Sequence, residues 1–131
     1  MGVVIAIDPG SDKCGLAVVS ARDVLRRCIL PPDEVPALVS ELITRYSADT
    51  LVVGNGTHGR KLADRLRDRV SVPIVFVDES YTTLRARTRF FEENPPRGLR
   101  RLIPRGLLIP DRPIDDLAAV ILAEEYLSGR S

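Results

Sequence analysis

The chain has 131 residues, which at roughly 100 to 200 residues per domain is one domain's worth. Apolar types make up 44% and charged types 28%, the balance of a globular protein, so disordered, collagen-like and coiled-coil readings are excluded. Net charge is only +1 but unevenly spread: positions 85–112 hold eight arginines against Glu92, Glu93 and Asp111, net +5, which leaves −4 for the remainder.

In chain order, Val3 to Ile7 is apolar and mostly β-branched and runs into Asp8-Pro9-Gly10, so a short buried strand delivers a carboxylate into a tight turn. Leu16 to Ser20 and Val24 to Leu30 follow as strands, joined closely enough to be antiparallel neighbours. Cys14 and Cys28 fall in or beside these strands without further metal-ligand spacing and read as reduced core residues. Val35, Leu38, Val39, Leu42, Ile43 and Tyr46 form one helical stripe, with Asp33 as its expected cap. Thr50 to Val53 is a strand closed by Gly54-Asn55-Gly56. A charged helix carrying Leu62, Leu66 and Val70 comes next, with Thr57 as its expected cap. Val72 to Val77 is the fifth strand and ends in Asp78 and Glu79. A helix is expected over 82–93, stopped by Asn94-Pro95-Pro96; positions 97–113 read as loop with one or two short turns, and a last helix spans 115–127. Its apolar run, Leu117 to Ala123, is far short of the roughly 20 residues a membrane span needs, and residues 1–8 carry no signal-sequence pattern. No membrane association is expected, and the expected compartment is the cytoplasm.

This order implies an α/β fold over residues 1–131: a mixed five-stranded sheet, three antiparallel strands and then parallel ones, with helices on both faces. Function in open sheets of this kind gathers beyond the strand C-termini. Asp8, the Asp78-Glu79 pair and the Asp115-Asp116 pair each end a strand or start a helix. Oxygen-only clusters of this sort suit hard divalent cations, which can activate water for phosphodiester hydrolysis. Taken one by one, the same acids also read as ordinary turn and cap residues.

Ile-Asp-Pro-Gly-Ser-Asp-Lys-Cys-Gly-Leu-Ala-Val at 7–18, Val-Asp-Glu-Ser-Tyr-Thr-Thr-Leu-Arg-Ala-Arg at 77–87 and Ile-Asp-Asp-Leu-Ala-Ala-Val-Ile-Leu at 114–122 resemble the three motifs of the YqgF family, also called RuvX. The resemblance covers nearly the whole chain. It implies an RNase H-like, RuvC-like fold and a Holliday junction resolvase or a nuclease maturing pre-16S ribosomal RNA. It also implies Asp8, Glu79 and Asp115 as catalytic, metal-binding acids with Asp116 as a further ligand, and Mg²⁺ or Mn²⁺, one or two ions, as cofactor. Two stretches depart from the family pattern and mark a divergent member: Val-Val-Gly-Asn-Gly-Thr at 52–57, and Asn-Pro-Pro-Arg-Gly-Leu-Arg-Arg-Leu-Ile-Pro at 94–104.

Phosphate contacts are expected from Lys13, Arg85, Arg89, Arg97, Arg100, Arg101 and Arg105, since affinity for nucleic acid comes largely from neutralising backbone charge. The competing reading of these arginines is a solvated helix face, with Arg89 pairing to Glu93. Phe90 and Phe91 read first as core and second as base-stacking groups. Gly10 to Gly15 is not a phosphate loop, because Leu16 and Ala17 stand where that motif needs Lys and Ser or Thr. His58 lies near the expected crevice, and a metal-bound water does not require it as a base.

The leading function is thus a metal-dependent endonuclease on branched DNA or structured precursor RNA. The alternative is a catalytically weak RNase H-like module that binds nucleic acid or a protein. A sugar kinase or actin-like ATPase would need two related domains, for which the chain is too short. Junction cutting requires two active sites and hence a homodimer.

Overall fold

The computed structural model describes residues 2–21, 23–80, 82–104 and 107–129. Strands β1 (Val3–Asp8), β2 (Cys14–Ser20) and β3 (Asp23–Leu30) come first, followed by helix α1 (Val35–Tyr46), strand β4 (Thr50–Gly54) and helix α2 (Thr57–Leu66). Strand β5 (Ile74–Val77) and helices α3 (Thr82–Glu93) and α4 (Asp115–Leu127) complete the chain, with short 3₁₀ turns at Pro32–Glu34 and Gly98–Leu102. The five strands form one sheet in the order β3-β2-β1-β4-β5. β1, β2 and β3 pair antiparallel, while β4 lies parallel to both β1 and β5. The mixed sheet expected from the order of elements is therefore the one found.

Alternation along the central strands divides the core into two layers. Ile5, Ile7, Leu16, Val18, Leu51 and Val53 face α1 and α2, packing on Val35, Val39, Leu42, Leu62 and Leu66. Val4, Ala6, Ala17, Val19 and Val52 face the other way, onto Ala119, Val120, Leu122 and Ala123 of α4. Helix α4 is covered on its outer side by Ala86, Phe90 and Phe91 of α3, which meet Leu117 and Ala118. Sheet on one side and helix on the other explain why its apolar residues run unbroken rather than in a stripe. Each fully buried Ile or Leu here contributes about 1.5–3 kcal/mol, and Leu122→Ala would cost about 2–5 kcal/mol. Phe90 and Phe91 are both buried and meet edge to face with ring centroids 5.1 Å apart, which settles them as core. Cys14 is buried and Cys28 partly so, and both are free thiols.

Several boundaries differ from the sequence reading. α2 stops at Leu66, and Val70 reaches the core from the following turn, its amide still bonded to the Leu66 carbonyl. β5 starts at Ile74 rather than Val72, because Pro73 has no amide to donate and offers only its carbonyl, which accepts the Leu51 N–H at 2.9 Å. Neither expected cap is one. Asp33 sits in the 3₁₀ turn with its carboxylate 3.3 Å from Arg65, and Thr57 is the first helical residue behind Gly56. Among the described residues no helix is long and apolar enough to cross a membrane.

Candidate active site

Strand register sets the acids at one end of the sheet. Asp8 closes β1 opposite Gly15, and Ile7 pairs with Val53, so Gly54 at the end of β4 lies beside the Asp8 position. Gly15 lets α4 in: a Cβ there would overlap the Asp115 carbonyl, so only glycine allows the N-terminus of α4 to press against β2. Gly54 and Gly56 do the same for Glu79, whose carboxylate occupies the space their side chains would fill. The Gly56 amide donates to Glu79 Oε1 at 3.1 Å. The loop that departs from the family pattern therefore acts through its glycines, while Asn55 and Thr57 point to solvent. Asp78 turns outward, where it accepts the Ser80 amide at 2.9 Å and stays well ionised.

The crowding of these acids shows in Asp8. Burial first, then the charges of Glu79 and Asp115, push its carboxyl from 3.8 up to about 7. Lys13 offsets part of the charge, its Nζ lying 3.8 Å from Asp115 Oδ2. Among the described residues no three His, Cys, Asp or Glu side chains form a group tight enough to hold a metal ion. The donor set nevertheless fits a hard divalent cation: it is all oxygen, and its mutual repulsion is what such an ion relieves. The Thr82 hydroxyl, at the start of α3 three residues after Glu79, is buried without a hydrogen-bond partner. Nothing in the sequence distinguishes it from its neighbour Thr83.

Asp116 belongs to another group. It is 7% exposed and turns to Arg112 at 3.3 Å and Arg27 at 3.5 Å, rather than to Asp8. Arg27 also pairs with Glu93, Glu93 with Arg89, and Arg89 with Glu124 at 2.9 Å, so one network ties β3, α3 and α4 together. Arg85 pairs with Glu125 of α4, and Arg87 donates to the Leu108 carbonyl at 2.8 Å. The expected phosphate contacts at Arg85 and Arg89 are thus already occupied by glutamates from α4. Arg97, Arg100 and Arg101 are exposed on the loop; Arg100 and Arg101 hold the loop's own carbonyls at Ile109 and Gly98. Arg105 lies outside the described residues. His58 is exposed in the first turn of α2, beside the turn that follows Asp8.

Comparison with known proteins places this arrangement. A family model described as "RuvX: Holliday junction resolvase" matches residues 2–129. A protein named "Putative pre-16S rRNA nuclease" from Caldanaerobacter subterraneus subsp. tengcongensis is 30% identical, across 97% of this chain and 96% of its own. One of the same name from Escherichia coli O157:H7 is 28% identical across 95% of each. Among solved structures, Thermus thermophilus RuvC in complex with Holliday junction substrate is similar at a TM-score of 0.60 and 18% identity, covering 99% of this chain and 98% of its own. That likeness shows the fold, an RNase H-like fold of the RuvC kind. With the family model spanning nearly the whole length, the chain belongs to the RuvX family.

Proposed function

We propose that the protein is a divalent-metal-dependent endonuclease that hydrolyses phosphodiester bonds of structured nucleic acid, either branched DNA or precursor RNA. The observation that carries this reading is the placement of Glu79 against Gly54 and of Asp115 against Gly15, on either side of Asp8 at the end of the sheet. On this reading Asp8, Glu79 and Asp115 hold one or two Mg²⁺ or Mn²⁺ ions. When bound, such ions lower the pKa of water and stabilise the leaving oxygen of an in-line displacement. The Gly56 amide fixes Glu79 in one orientation, Lys13 meets the phosphate beside Asp115, and the Asp8 carboxyl gives up its proton as the cation binds. Arg97, Arg100 and Arg101, exposed on the loop before α4, supply backbone-phosphate contacts. Action on a four-way junction would use two copies of the chain. The free thiols of Cys14 and Cys28 suit a cytoplasmic protein.

The test is cleavage of four-way junctions, duplex DNA and precursor RNA with Mg²⁺, Mn²⁺ or chelator. Metal-dependent cutting of a structured substrate is expected, together with a metal-induced rise in melting temperature that Asp8→Asn abolishes. No cutting of any substrate with either metal would leave the binding-module alternative standing instead.

A further inference from the structure

On the α1/α2 side of the acids lies a cavity of about 130 Å³, between the turn that follows β1 and the exposed face of α2. Its rim carries Gly10 and Ser11, and its wall carries His58, Lys61 and Arg65. Positions 58, 61 and 65 fall on one stripe of α2, at i, i+3 and i+7, so a single helix face presents all three. The buried Cys14 contributes to the lining, and no acidic side chain does so among the described residues. No described ion pair involves His58 or Lys61; Arg65 pairs only with Asp33, whose side chain is 92% exposed. The first turn of α2 contains no acid, and its cap residue Gly56 offers no side-chain acceptor to the helix amides.

Resting on the nuclease reading, we propose that this cavity is a second phosphate site, which takes a backbone phosphate of the substrate strand flanking the one presented to Asp8. Gly10 stands two residues beyond Asp8, so a strand whose scissile phosphate lies at the acids passes directly over this rim. Lys61 and Arg65 neutralise the flanking phosphate, and His58 donates a ring N–H to it. The site sets the path of the strand across the sheet end from the side opposite the loop at 97–104. It also supplies charge that α3 cannot offer, because Arg85 and Arg89 are taken by glutamates of α4 and Arg87 by the Leu108 carbonyl.

Two measurements test the site independently of each other. In chelator, where no cleavage occurs, the affinity of Lys61→Gln/Arg65→Gln for a four-way junction and for single-stranded oligonucleotide should fall, with a salt slope smaller by roughly 1 to 2 units at ~0.7–0.9 per contact. Arg69→Gln, a charge loss outside the cavity, should keep the wild-type slope, and Lys61→Arg, which keeps the charge, should keep wild-type affinity. In a ¹⁵N-resolved NMR titration, inorganic phosphate should shift the amides of Gly10, Ser11 and His58 in wild type and not in the double variant. Both replaced side chains are exposed, so circular dichroism and melting temperature should match wild type. A double variant with the wild-type salt slope and wild-type phosphate shifts overturns the site. Absence of cleavage by wild type on every substrate, with the phosphate shifts present and lost in the double variant, sinks the nuclease reading and leaves the anion site in place.

Discussion

Helices α2 and α3 each carry three Lys or Arg side chains and both lie close to the acids, yet their charges are used differently. On α3, Arg85 and Arg89 are held by Glu125 and Glu124, and Arg87 is held by a loop carbonyl. Arg85 and Arg89 thus tie α3 to the C-terminal part of α4, and Arg87 ties it to the loop that precedes α4. On α2, His58 and Lys61 face an open cavity with no acidic lining. A count of arginines along the sequence favours α3 as the nucleic-acid face; partners supplied by another helix reverse that ranking. What matters for binding is charge left without a partner, and partners come from tertiary neighbours.

The contrast supposes that the acids between the two helices perform the chemistry while the basic faces only grip or brace. Glu79→Gln is expected to have the largest effect, cutting turnover by at least ~10²-fold, since loss even of groups that merely support a metal ligand costs about 10–100-fold. Junction binding measured alongside should persist. If turnover survives, the acids are not the centre and neither basic face needs to be read relative to them.

Next in size is the pH dependence of the metal-free protein. The Asp8 carboxyl is raised in the folded state from 3.8 to about 7, so the unfolded chain releases this proton at the lower pH. The associated stability is therefore fully present below about pH 4 and lost as pH rises towards 7, a decline on the order of a few kcal/mol. Urea unfolding in chelator across that window should show the decline in wild type and a flatter profile in Asp8→Asn. A flat wild-type profile would mean that burial and the charges of Glu79 and Asp115 do not raise Asp8.

Gly15→Ala should come third, at about 1–3 kcal/mol, because the new methyl group collides with the Asp115 backbone and pushes the start of α4 off the sheet. Thermal unfolding measures the cost. A metal-binding titration on the same variant should show weaker affinity, as Asp115 moves with its helix.

The smallest effect sharpens the comparison most. Arg85→Gln and Arg89→Gln should each cost less than about 1 kcal/mol, as partly exposed ion pairs do, and should leave the salt slope of nucleic-acid binding unchanged. A reduced slope in either variant would show that phosphate displaces the α4 glutamates, and the distinction between α2 and α3 would fall.

Much of this molecule can be read from the sequence for local reasons. Strand and helix periodicity, Pro and Gly at the breaks and the alternation of elements determine the five strands, the four helices and the mixed sheet. The acids at 8, 78–79 and 115–116 are legible because each ends a strand or starts a helix, and the choice of Glu79 and Asp115 within their pairs is what the family resemblance implies. Three features were decided only by the tertiary structure. Asp116 is adjacent to Asp115, yet helical geometry turns successive side chains about 100° apart, and Arg27 and Arg112 take it. Gly54 and Gly56 hold Glu79 across 25 and 23 residues of chain, a role that exists only once β4 and β5 lie side by side. The pairing of Arg85 and Arg89 with α4, and the open face of α2, likewise depend on which helix covers which side of the sheet. Backbone preferences are local and survive in the sequence, whereas the availability of a charge is a property of its neighbours in space.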